Sequence, residues 1–200
     1  MGEFGFYVEL GYKHVLDPGA YDHILFLAAL ALPFTFKGWK KVLFLATVFT
    51  IFHCTSLALS VYELFRVPAE CIEFLIPITI VITAVLSMLY TQRDADKTDL
   101  YMHSLSAAFF GLIHGFGFSN YFNMLMAGET SKAGPLLGFA TGIELSQLVI
   151  LLVVLGLNFL FRSQFKVKPQ WYITVGAIII GLATIPMLID TFPNWKACFN

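Results

Sequence analysis

Six stretches of the chain, at 22–36, 42–64, 71–91, 100–127, 135–161 and 171–190, are almost free of charge and are separated only by short segments rich in charge, Gly or Pro. A helix needs about 20 mostly apolar residues to cross a bilayer. Six such runs use up a chain of 200 residues. The charged fraction of 12% is about half the roughly 25% of a soluble domain. The sequence therefore predicts an all-α polytopic membrane helix bundle of about six transmembrane helices, with residues 1–200 forming a single integral membrane domain and the lipid bilayer as its solvent.

A net charge of −1 and the lack of a long basic run exclude nucleic acid as a partner. The three cysteines are odd in number and have no CxxC spacing, so they are not read as a disulfide framework, and at least one thiol is expected free. Residues 4–16 are amphipathic and aromatic ahead of an Asp17-Pro18-Gly19 turn, which suits an N-terminal interfacial or re-entrant helix that the turn redirects into the first span. No cleaved leader is read, because Glu3 and Glu9 precede the first basic residue.

Basic residues cluster in alternate connections. Lys37, Lys40, Lys41, Arg93, Lys97, Arg162, Lys166 and Lys168 lie on one side, eight in all, against Lys13, Arg66, Lys132 and Lys196 on the other. Basic loops stay in the cytoplasm, so both termini are expected outside it. Trp39, Trp171 and Trp195 stand at predicted span ends, where indole rings favour the interface.

Ionisable residues inside such spans are costly and are functional candidates by default. Asp22 and His23 open the first span, His53 lies eleven residues into the second from the inner side, His114 fourteen into the fourth, and Glu144 nine into the fifth from the outer side. All three mid-span groups fall in the central to outer half. His103, near the inner end of the fourth span, is expected to be a packing residue. Imidazoles with one or two carboxylates suit a divalent transition metal ion, Ni, Co or Zn, whereas Ca²⁺ or Mg²⁺ calls for oxygen ligands. Thr50, Thr55, Ser56, Ser119, Thr141, Ser146 and Gln147 are polar groups able to hold the free ring nitrogens. The glycines Gly115 and Gly117 read as close-packing positions between helices, and the 21 phenylalanines as lipid-facing bulk.

Four segments, GYKHVLDPGAYDHILFL, FTIFHCTSLALS, FFGLIHGFGFSNY and GFATGIELSQL, together spanning residues 11–150, resemble the signature blocks of the HupE/UreJ membrane proteins. The resemblance implies a nickel or cobalt permease in a bacterial inner membrane. Its metal ligands map to His14, Asp22, His23, His53, His114 and Glu144, with Gln147 beside the last. Seven residues separate His14 from Asp22, a longer gap than nickel permeases usually have, which leaves His14's place in the set open. An alternative reading from another class is an intramembrane metalloenzyme holding zinc or iron, with Glu144 as general base. Under either reading the metal ion is a partner, and a homo-oligomer stays open.

Overall fold

The structure, a computed structural model of the chain, describes residues 3–90, 100–129 and 131–199. It is 85% helical, with no strand among the described residues. Seven helices follow in order: α1 (Glu3–Val15), α2 (Asp22–Ala31), α3 (Trp39–Val61), α4 (Ala69–Tyr90), α5 (Leu100–Met126), α6 (Ala133–Phe159) and α7 (Pro169–Thr191). Short 3₁₀ turns precede α3 and follow α7, and a π-type turn extends α6. The connection 91–99, with Arg93 and Lys97, lies outside the described residues.

Four helical segments, Phe36–Val61, Ala69–Leu89, Ala133–Gln164 and Pro169–Lys196, are long and apolar enough to cross a membrane. Helix α5, at 27 residues, is long enough but carries two histidines and several amides and hydroxyls. Large apolar side chains such as Leu152, Ile179 and Ile189 are more than half exposed around the bundle, an outer surface suited to lipid rather than water. The chain is an integral membrane protein.

The first span differs from expectation. Helix α2 has 10 residues and stops at Ala31, not near residue 36, because Pro33 has no N–H to carry the helical hydrogen bonds beyond Leu32. At 1.5 Å per residue it is about 15 Å long, half a bilayer. The other half is supplied by α1, which does not lie on the surface but packs against the first half of α6. Tyr7 and Val15 are buried, and a Cβ on Gly11 or Gly142 would strike the partner helix's backbone. Tyr7 donates to Glu129 in the connection before α6, whereas Asn158 near the far end of α6 donates to the carbonyls of Leu32 and Phe34 just beyond α2. Helices α1 and α2 thus run the same way along α6, one after the other, as two halves of a broken span with the 16–21 segment between them.

Both termini lie at the same end of the bundle. Cys71 at the start of α4 is bridged to Cys198 after α7, Asn194 donates to Glu73, and Lys132 donates to the Val61 carbonyl. The disulfide corrects the sequence reading of the cysteines: its partners are 127 residues apart and are brought together by helix packing, which spacing does not reveal. Cys54 is the free thiol.

Candidate metal centre

Two glycine seams bring the histidines together. Helix α5 lays Gly111 and Gly115 directly on the α3 backbone, where any Cβ would collide with the carbonyls of Phe49 and His53. Small residues at this i, i+4 spacing let helix axes approach closely, so His53 of α3 and His114 of α5 face a common space. The second seam, Gly11 against Phe139 and Gly142 against Val8, holds α1 so that its last turn delivers His14 to the same place. His23, in the first turn of α2, completes the set. Gly115 thus acts as the close-packing residue the sequence suggested.

The ring of His23 sits at the centre: its centroid is 4.7 Å from that of His14, 5.5 Å from His53 and 5.1 Å from His114, and His14 stacks on His53 at 5.8 Å. One potential ligand atom from each of His14, His23 and His53 lies within 4.8 Å of the others. The longer His14–Asp22 gap therefore does not remove His14 from the group.

The hydrogen bonds set which nitrogens are available. His23 gives its Nδ1–H to Asp22 at 3.0 Å, and His114 gives its Nδ1–H to the Phe110 carbonyl at 2.9 Å. Both acceptors lack a proton to offer, so each ring carries its hydrogen on Nδ1 and turns a bare Nε2 lone pair to the interior. The Nε2 atoms of His14, His23, His53 and His114 are all buried without a hydrogen-bond partner. A buried polar atom left so costs about 1–3 kcal/mol, and native proteins hold few of them. The three imidazoles of His14, His23 and His53 form a donor set that suits a borderline divalent cation, and the ring of His114 lies beside them against His23.

Asp22 is not among the three grouped ligand residues. One of its oxygens accepts both the backbone N–H and the Nδ1–H of His23, so it orients that imidazole.

Glu144 lies apart from the three-histidine group. Its carboxylate accepts from Thr47 at 3.4 Å and also reaches Thr50, one turn of α3 before His53. Gln147 one turn further along α6 accepts from Thr50 at 3.1 Å, so these four residues form a polar strip on the α3–α6 seam. The other hydroxyls expected around the site bond instead to carbonyls of their own helices: Thr55, Ser56, Ser119, Thr141 and Ser146. His103 is remote from the cluster and packs on Phe34.

Sequence reasoning missed the aromatic walls. Phe49 contacts the rings of His23, His53 and His114, Phe26 that of His114, and Phe118 lies 3.9 Å from that of His14. Phe26 and Phe49 are fully buried, so the phenylalanines are not all lipid-facing bulk. Their spacing gave no signal, because an apolar helix in lipid does not distinguish its inner face.

A family model described as HupE / UreJ protein matches residues 1–190. No curated protein and no solved structure matches the chain.

Proposed function

The chain belongs to the HupE/UreJ family, and from that membership and its histidine cluster we propose that it is a permease for a divalent transition metal, nickel or cobalt, in a bacterial inner membrane. The observation that carries this reading is the convergence of the buried, unpartnered imidazoles of His14, His23 and His53, with His114 beside them, at a break between two half-helices. Broken spans whose ends meet at the substrate are a recurring way to hold an ion inside a transporter. Imidazole is neutral, so the four rings replace the waters of the ion without trapping it behind a cage of fixed charge. His14, His23, His53 and His114 hold the ion, and Asp22 positions His23. The strip of Thr47, Thr50, Gln147 and Glu144 is the next polar step toward the basic end of the bundle, where Glu144 receives the cation on its way out. The enzyme reading needs a general base beside the metal, and Glu144, the carboxylate expected in that role, is not among the three grouped ligand residues.

Uptake and binding of Ni²⁺ by the purified chain, in vesicles and in detergent, test the proposal together. His53→Ala is expected to abolish both. Glu144→Gln, which keeps shape and removes charge, is expected to retain binding and lose uptake. Wild-type binding and uptake in a well-folded His53→Ala protein would overturn the metal assignment.

A further inference from the structure

A cavity of about 580 Å³, lined among others by Leu10, Lys13, His14, Asp17, Phe118 and Tyr121, opens between α1, the 16–21 segment and the second half of α5. It reaches the cluster through His14. The depth of this groove conflicts with its chemistry if lipid fills it. His53 is eight residues, about 12 Å, below the end of α3 at Val61, and His14 stacks on it, so the neighbouring Lys13 and Asp17 lie well inside the bilayer. Yet the Lys13 side chain is 73% exposed and that of its ion-pair partner Glu9 43%, and Asp17, Pro18, Gly19 and Ala20 are all exposed. Charged side chains do not face hydrocarbon. Non-helical backbone at such depth occurs only where it lines water or is covered by protein.

We propose that this groove is a water-filled vestibule through which the hydrated cation reaches His14, and that Phe118, lying against the His14 ring, is the lid between the vestibule and the histidine cluster. The groove is large enough for a hydrated ion, since at about 30 Å³ per water an ion with six waters needs roughly 200 Å³. The vestibule is argued from exposure and depth alone, whereas the role of its cargo rests on the permease reading. Beyond Phe118 the ring nitrogens are sealed from water, so hydration ends at this side chain. The α1 half of the span is needed because it carries polar groups down one wall of the vestibule and a ligand at its foot.

The test uses the full chain in unsealed native membranes, so that orientation does not enter, with Cys54→Ser leaving no free thiol. Single cysteines at Lys13→Cys and Tyr121→Cys are titrated with a charged, lipid-insoluble maleimide, with Leu152→Cys on the lipid face of α6 as reference. Both vestibule positions are expected to react at least about tenfold faster than the reference, because thiols in hydrocarbon are not ionised. Reaction as slow as at Leu152→Cys would overturn the vestibule. So would slow reaction in membranes combined with disulfide cross-linking of two copies through Tyr121→Cys, which would show a second copy covering the groove. In parallel, release of bound Ni²⁺ from Phe118→Ala is expected to be at least about tenfold faster than from wild type, since removing a lid lowers the barrier to leaving the site, and an unchanged release rate would remove Phe118 as the lid. If the wild-type chain binds no Ni²⁺, the permease reading fails while the labelling rates still decide the vestibule.

Discussion

Asp22 illustrates how one residue acts through its neighbour. Its carboxylate oxygen takes the Nδ1–H of His23 and fixes both the tautomer and the direction of the ring at the centre of the cluster. Removing such an orienting carboxylate typically lowers metal affinity 10–100-fold. Asp22→Ala is therefore expected to weaken Ni²⁺ binding by about 10–100-fold, while Asp22→Asn, which keeps an oxygen acceptor, loses less. Calorimetric titration checks both, and equal, wild-type affinities would mean that His23 needs no partner. The histidines themselves were legible in the sequence because ionisable groups in apolar spans stand out against a high energetic cost. The division of labour between Asp22 and His23 was not, since two adjacent residues on a helix reveal nothing about where either side chain turns. Nor was the separation of Glu144 from the cluster, which depends on how α6 is rotated about its own axis.

At the scale of the element, the interrupted first span was half visible. The Asp17-Pro18-Gly19 turn and the amphipathic stretch ahead of it marked a chain reversal or a dip, but only packing shows that α1 and α2 run in sequence along α6. The cause is the seam of Gly11, Gly138 and Gly142, where α1 meets α6 backbone to backbone; a Cβ on Gly142 would approach the Tyr12 nitrogen to 2.6 Å. Gly142→Val forces these helices apart, at a cost of about 1–3 kcal/mol or more, and withdraws His14 from the cluster while leaving His23, His53 and His114 on their own helices. The expected result is a lower melting temperature with weakened but not abolished Ni²⁺ binding. Gly156→Val on the same helix, where nothing lies within 4 Å of an added Cβ, is expected to change neither. If both variants melted alike, the seam would not be what holds α1.

For the whole molecule, two independent features support the proposal that its ends face out of the cytoplasm. Lys37, Lys40, Lys41, Arg162, Lys166 and Lys168 lie at the end of the bundle away from the termini, and basic connections of this kind stay cytoplasmic. The Cys71–Cys198 bridge lies at the terminal end, and disulfides persist in oxidising compartments rather than in the cytosol. The basic residues and the thiol chemistry are unrelated properties of the chain, and both support the proposal that the termini, and with them the proposed vestibule, face outward. From this we predict that a cysteine introduced at Lys168 in sealed cells is protected from an impermeant maleimide, and that one at Asn194 is labelled. The native bridge gives a second readout, since an impermeant reductant added to intact cells should free Cys71 and Cys198 for labelling without touching Cys54, which is held within α3. Labelling at position 168 from outside, together with a bridge that resists that reductant until the cells are opened, would invert the molecule and turn the proposed vestibule toward the cytoplasm.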